Sequence, residues 1–331
     1  MSTERTQLLD RIARVTPETF TGLAREVFRY QAVHNTIYAR YLELLRCDPA
    51  SVTQLTDIPH LPIALFKQYH LQSGVWDPVR TFTSSGTTGT TTSRHPLRSE
   101  DWYRTNARRA FERQYGPLTG RPVLALLPAY LERTGSSLVF MAEDFIRQSG
   151  HADSGFFLDD LAGLARKLRR LNATDGPPPL LVGVSFALLD LAEKFPGNYA
   201  NLIIMETGGM KGRRREITRQ ELHATLNAAF GTDFIHSEYG MTELLSQAYA
   251  PKNGVFHPAP TLRVHVREIT DPFATLVPGK TGALNLIDLA NLDTISFIAT
   301  DDLGRTRPDG TFEVLGRMDA SDVRGCNLLV V

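Results

Sequence analysis

Cysteine, net charge and long apolar runs are the three things this chain of 331 residues has little of, and each shortage removes a class of protein. The two cysteines, Cys47 and Cys326, lie far apart and match no zinc spacing. Neither need be bridged, which fits a reducing compartment and leads us to expect a cytoplasmic protein. Lys plus Arg and Asp plus Glu balance at 36 each. Without a field of one sign, nucleic acid and anionic membrane are not expected partners, and any charge-based role must be local. No apolar run approaches the roughly 20 residues of a membrane span. Glu4, Arg5, Asp10, Arg11 and Glu18 interrupt the amino-terminal stretch, so no signal peptide is expected either.

What is present is 42% hydrophobic and 22% charged, enough to bury one large core or two moderate ones. Thr16-Pro17 is a helix start, after which Phe20, Leu23, Ala24, Val27 and Phe28 recur on one helical face. A short strand at Thr81-Phe82-Thr83 runs into the Gly/Ser/Thr tract Ser84 to Ser93. From Ser99 a helix with Tyr103, Ala107, Ala110 and Phe111 on one face leads to the buried-strand run Pro122 to Leu127. The alternation repeats at Leu180 to Val184 before a Phe186 to Phe195 helix, and at Leu202 to Met205 before the capping box Thr218-Arg219-Gln220-Glu221. Asp233 to His236 reads as a further strand opening into a loop. From about Thr261 the rhythm turns to strands and turns, including Val264-His265-Val266, Ala283 to Leu286 and an Asp309-Gly310 hairpin signal. The expectation is an α/β fold of layered sheets flanked by helices, closed by a β-rich subdomain, with binding loops at the carboxyl ends of the strands.

Three loops can carry chemistry. In Thr83 to Ser93, two glycines allow close backbone approach while hydroxyls and amides can donate to phosphate oxygens; no Walker lysine follows, and a polar connector has the same composition. Tyr239-Gly240-Met241-Thr242-Glu243 sets a hydroxyl beside a carboxylate suited to phosphate and Mg²⁺, although a helix start capped by Thr242 would look alike. Thr300-Asp301-Asp302-Leu303-Gly304-Arg305, with Gly316-Arg317-Met318-Asp319 after it, could hold a ribose diol and a phosphate, or form ordinary hairpin turns. The run Lys211, Arg213, Arg214 and Arg215 is either a solvated cluster or a neutraliser of pyrophosphate.

In order and spacing these loops resemble the nucleotide motifs of adenylate-forming enzymes, and the chain is most similar to the acyl-protein synthetases of the luminescence and fatty-acid-reductase systems, near the phenylacetate-CoA ligase branch. The resemblance implies ATP and Mg²⁺ as cofactors, with Ser85, Gly86, Thr87, Thr88 and Gly89 around the phosphates. It implies Thr242 at the α-phosphate, Glu243 on the metal, Asp302 on the ribose and Arg317 at the ribose or phosphate, while Gly208 and Gly209, in Glu206-Thr207-Gly208-Gly209, lie on the adenine side and Tyr239 and Gly240 line the nucleotide. Thr92 stands where many relatives carry lysine, and Arg94 and His95 are candidates to supply that charge. Only 12 residues follow Asp319, so the catalytic body is expected at 1–319, with 261–319 its β-rich part and 320–331 a tail without the usual carboxyl-terminal domain. On that tail Cys326 matches the cysteine that accepts the acyl group in acyl-protein synthetases, and Arg324 could lower its pKa. A small buried hydrophobe is the other reading of Cys326. The implied substrate is a carboxylic acid, a fatty acid by resemblance, and the implied partner an acyl reductase. CoA or a carrier protein is the alternative acceptor, and a non-catalytic scaffold the alternative class. The apolar segment from Phe140 to Phe157 could line an acyl tunnel or simply pack.

Overall fold

A computed structural model describes residues 3–84, 92–128, 135–208, 215 and 217–318. In chain order its helices are α1 (Thr3–Ile12), α2 (Pro17–His34), α3 (Thr36–Leu44), α4 (Glu100–Tyr115), α5 (Ser137–Ser149), α6 (Leu161–Asn172), α7 (Ser185–Lys194) and α8 (Arg219–Phe230). The first strands are β1 (Leu61–Pro62), β2 (Arg80–Thr83), β3 (Arg94–Leu97), β4 (Val123–Leu126), β5 (Gly155–Phe157), β6 (Leu180–Val184), β7 (Ile203–Thr207) and β8 (His236–Tyr239). They are followed by β9 (Ala248–Ala250), β10 (Val255–Pro258), β11 (Leu262–Arg267), β12 (Thr275–Leu276), β13 (Gly282–Asp288), β14 (Phe297–Thr306) and β15 (Phe312–Arg317). The chain divides into two compact units, Met1–Val75 with Pro260–Val331, and Trp76–Ala259.

The first unit sets α1 to α3 beside the antiparallel sheet β12-β11-β13-β14-β15, with β1 added parallel to β14. Its core is aromatic: Phe28 meets Tyr38 and Phe297 edge-on, and Tyr38 stacks on Phe297 at 6.2 Å. Helix α2 starts at Pro17, as the Thr16-Pro17 pair requires, with the Thr16 N–H donating to Thr19 Oγ1. Gln31, fully buried on that helix, donates from Nε2 to the carbonyls of Asn291 and Leu292 and accepts the Ser296 N–H on Oε1. One side chain thus satisfies the turn that precedes β14.

The second unit is built on the parallel run β5-β4-β6-β7-β8, continued antiparallel by β9 and β10. Helices α5, α6, α7 and α8 make the connections between successive parallel strands. Strands β4, β6 and β7 are buried at every position, which is why they read as continuous apolar runs rather than alternating ones. Ser99 caps α4 by accepting the Trp102 N–H, and Thr218 caps α8 while Glu221 returns the bond to the Thr218 N–H. Helix α5 buries Phe140, Met141, Ala142 and Phe145, with Phe140 packed against Phe82 and Tyr103.

Two expectations are corrected. The strand read at Asp233 to His236 begins only at His236, and Phe234 is 46% exposed. The polar run His-Ser-Glu-Tyr forms the strand because parallel pairing with β7 buries Ser237 and Glu238 on both faces. Asp301 and Asp302, read as turn residues, lie within β14, where a register shift at Leu303/Gly304 kinks the strand.

Candidate functional site

In the second unit the carboxyl ends of three parallel strands come into register. Val184 of β6 pairs with Thr207 of β7, and Thr207 with Glu238 of β8. One residue on, Ser185 donates its hydroxyl to the Gly208 carbonyl at 2.5 Å. Gly208 has φ +71°, a left-handed turn that suits glycine and lets the chain leave β7 sharply. Alternation along β7 sends consecutive side chains to opposite faces. Glu206 turns toward α8, with Arg219 Nε at 3.1 Å and His223 Nε2 at 3.5 Å, while Thr207 Oγ1 donates to Glu238 Oε2 at 2.5 Å.

The two acids therefore differ in charge state. Burial pushes Glu206 up, but hydrogen bonds from His223 and Ser237 and the Arg219 charge overcome it and hold the group below its ordinary value. Burial pushes Glu238 up to about 7; the Thr207 bond opposes and the Glu206 charge adds. Glu238 thus titrates near neutral pH, where Glu206 is ionised.

After β8 the chain runs Gly240-Met241-Thr242-Glu243 as a loop, not as the helix start that Thr242 could have capped. Thr242 is half-buried and Glu243 is 6% exposed. The loop is anchored by His95 of β3, fully buried, whose Nδ1 lies 2.8 Å from the Thr242 carbonyl. Burial lowers the His95 pKa to about 4, with the Thr242 bond opposing. A carbonyl only accepts, so the neutral ring donates from Nδ1. His95 therefore supplies no charge, correcting that part of the expectation; it fastens the loop, while Arg94 is exposed.

The same hairpin frames the Gly/Ser/Thr tract. Phe82 pairs with His95 and Thr83 with Arg94, and Ser84 and Ser93 close the stem through Ser84 N–H to Ser93 O at 3.1 Å and Ser93 N–H to Ser84 Oγ at 2.9 Å. Thr83 also donates its N–H to Gly135 O at 2.8 Å, an approach so close that a Cβ on Gly135 would meet Thr83 Oγ1 at 2.3 Å. Ser85, Gly86, Thr87, Thr88 and Gly89, Gly209, the Lys211 to Arg214 run and Cys326 lie outside the described residues.

In the first unit Asp302 of β14 pairs in register with Arg317 of β15, and the Arg317 guanidinium reaches Asp301 at 3.8 Å. Both partners of that ion pair are solvent-exposed, at 67% and 49%. The strand carrying the acids is braced by buried Arg267, which donates to the carbonyls of Leu284 and Thr300 and to Asn285 Oδ1. Gly304 allows β15 to approach, since a Cβ there would meet Glu313 O at 2.2 Å.

Among the described residues no group of three or more His, Cys, Asp and Glu side chains is placed to hold a metal. No described helix is long and apolar enough to cross a membrane. A depression of about 520 Å³ lined by Thr174, Pro179, Asn201 and Ile203, among others, lies at the opposite, amino ends of β6 and β7. It takes no part in the chemistry of the loops. Glu238 was missed in the sequence, and His95 was read there only as a candidate charge: the role of each shows only when a distant segment is set beside it, and a glutamate before Tyr239 carries no motif of its own.

No protein-family model and no curated protein matches the sequence. Solved structures do. ATP-bound MatB from Rhodopseudomonas palustris matches with a TM-score of 0.54 and 18% identity over 72% of this chain and 47% of that one. 2-Hydroxyisobutyryl-CoA ligase in its postadenylation state with 2-HIB-AMP matches with a TM-score of 0.65 and 15% identity over 95% of this chain and 68% of that one. The same ligase with 2-HIB-AMP and CoA in its thioesterification state gives 0.61 and 17% over 97% and 69%. The chain thus spans about half the length of MatB, and its mixed α/β architecture is the fold of adenylate-forming enzymes.

Proposed function

We propose that this chain activates a carboxylic acid with ATP as an acyl-adenylate. The observation that carries the reading is the His95 tie, which fastens the Thr242-Glu243 loop to the stem of the Ser84–Ser93 tract. Two loops whose sequences suit a nucleoside triphosphate thereby converge on one hairpin. In the first half-reaction an oxygen of the acid attacks the α-phosphorus of ATP, the bond to the β-phosphate oxygen breaks, and pyrophosphate leaves. Thr242 would donate its hydroxyl to the α-phosphate, and the Ser85 to Gly89 amides and hydroxyls would hold the other phosphates. Tyr239, Gly240, Gly208 and Gly209 would line the nucleotide, with Asp302 on the ribose and Arg317 at the ribose or phosphate. Catalysis would be by positioning and charge neutralisation. Mg²⁺, when bound, lowers the charge of the phosphates; Glu243 as its one protein carboxylate fits the described residues, because magnesium takes most of its ligands from phosphate and water.

By its resemblance the chain then transfers the acyl group to Cys326: the thiolate attacks the adenylate carbonyl, AMP leaves, and the thiol proton passes to solvent. A fatty acid substrate, residues 1–319 as the catalytic body with 261–319 its β-rich part, the 320–331 tail as carrier and an acyl reductase as receiver complete this reading. CoA as acceptor is the second reading, favoured by the similarity to a ligase solved with 2-HIB-AMP and CoA. Intact-protein mass after incubation with Mg-ATP and a panel of aliphatic and aromatic acids, beside Cys326→Ser, tests the sequence of steps. An acid-specific, hydroxylamine-labile adduct absent from the variant is expected. AMP release without an adduct in either protein shifts the acceptor to CoA or a carrier, and no acid-dependent AMP release overturns adenylation.

A further inference from the structure

We infer that Glu238 is a positioning residue of this site: as a neutral acid it takes the Thr207 hydroxyl on one oxygen and gives its proton from the other to the Gln247 side-chain carbonyl. It thereby straps together the two ends of the loop that carries Thr242 and Glu243. The inference rests on the adenylation reading for its catalytic meaning, and on geometry for the strap itself.

Glu238 and Gln247 stand at the two mouths of the loop, one at the end of β8 and one immediately before β9. They are 8% and 3% exposed. Both side chains crowd the same point: a Cβ on Gly240 would lie 2.3 Å from Glu238 Oε1 and 3.6 Å from Gln247 Cγ. Gly240 is therefore the residue that lets the carboxyl fold back over the loop. Gln247 Oε1 is buried with no hydrogen-bond partner among the described residues, a costly state for an acceptor. An ionised Glu238 would present only another acceptor; a proton on Glu238 satisfies both. The other oxygen is already committed to Thr207, so the strap extends to the end of β7 and to the Gly208 turn.

The surroundings favour the neutral form. Glu206 on β7 adds like charge, Tyr103 of α4 and Tyr249 of β9 face the carboxyl as neutral phenols, and His236, two residues earlier on β8, is itself held neutral by burial with a pKa of about 4. The Arg219 cation of α8 is paired with Glu206, and no cation among the described residues acts on Glu238 itself. Burial places the Glu238 transition at about 7, so the strap is intact below that pH and its proton is lost above it.

The test is acid-dependent exchange of pyrophosphate into ATP between pH 5.5 and 9, using whichever of dodecanoate, octanoate and benzoate supports it, with thermal midpoints measured in parallel. The wild type is expected to lose exchange about tenfold per pH unit above the transition. Glu238→Gln, which can donate to Gln247 and accept from Thr207, is expected to keep the low-pH rate and to be flat. Glu238→Leu and Gln247→Leu are expected to be at least about tenfold slower without that pH step. The thermal midpoint reports the strap whether or not the enzyme turns over. The unfolded carboxyl ionises near its ordinary 4.5, before the folded one. The wild type should therefore lose midpoint relative to Glu238→Gln as pH rises from 4.5 to about 7, with a constant difference above. A wild-type profile and midpoint that track Glu238→Gln at every pH mean an ionised Glu238 facing a reversed Gln247 amide, and overturn the strap. Absence of exchange with all three acids, with the midpoint difference present, leaves the strap standing and overturns the adenylation reading instead. Should the leucine variants fail to fold, the comparison of wild type with Glu238→Gln decides.

Discussion

The two units bury polar groups for different ends. In the first, Gln31, Asn35 and Arg267 are buried and spend their hydrogen bonds largely on backbone carbonyls of Asn291, Leu292, Thr294, Leu284 and Thr300. These groups do not titrate near neutral pH, and they fix the course of the chain around β13 and β14. In the second, the buried polar groups at the strand ends include the titratable His95, Glu206 and Glu238, which bond to a loop carbonyl, to α8 and to Thr207 respectively. Buried titratable groups are expensive unless something uses or compensates them. Glu206 and Glu238 stand at the carboxyl ends of adjacent strands of one sheet, and His95, on the separate β2–β3 hairpin, ties to the loop that follows them, which is why the adenylation reading is centred there.

The contrast predicts graded consequences. The largest belongs to the first unit's core, where Phe297→Ala removes the ring against which Phe28 and Tyr38 pack. Chemical denaturation should show a loss of about 3–5 kcal/mol; a loss under about 1 kcal/mol would mean that the aromatic cluster does not organise that unit. His95→Phe is next. It keeps ring volume but strips the donor from the Thr242 carbonyl, at an expected cost of about 1–3 kcal/mol. Exchange activity should fall by more than that stability loss accounts for, and full activity at reduced stability would make His95 a packing residue like Gln31. The smallest stability effect is expected at Arg317→Ala. Its ion pair with Asp301 is open to solvent, so the change should stay within about 0.5 kcal/mol. The apparent KM for ATP should nevertheless rise, and an unchanged KM would remove Arg317 from the nucleotide site.

Local signals were legible wherever they rest on chain-local chemistry. Thr16-Pro17, Ser99 and the Thr218/Glu221 box each start the helix that they announce, and Asp309-Gly310 turns the β14–β15 hairpin with Gly310 at φ +83°. The apolar runs of β4, β6 and β7 are likewise strands. The miss at β8 has a physical cause. Its register is decided by β7 alongside, and a buried Ser-Glu pair is indistinguishable from loop polarity until that neighbour is in place. For the same reason His95 read as a candidate charge beside Arg94, whereas enclosure makes it neutral.

By itself the sequence determined where helices begin, which strands are buried, and that three loops have the composition to meet a nucleotide, because capping, periodicity and backbone permissiveness act over a few residues. Only the tertiary structure decided that the first 75 residues join the last 72 in one unit, that Val184, Thr207 and Glu238 stand in one row, and which buried acid keeps its charge. Those depend on strand register and on desolvation, which arise between segments distant in the chain.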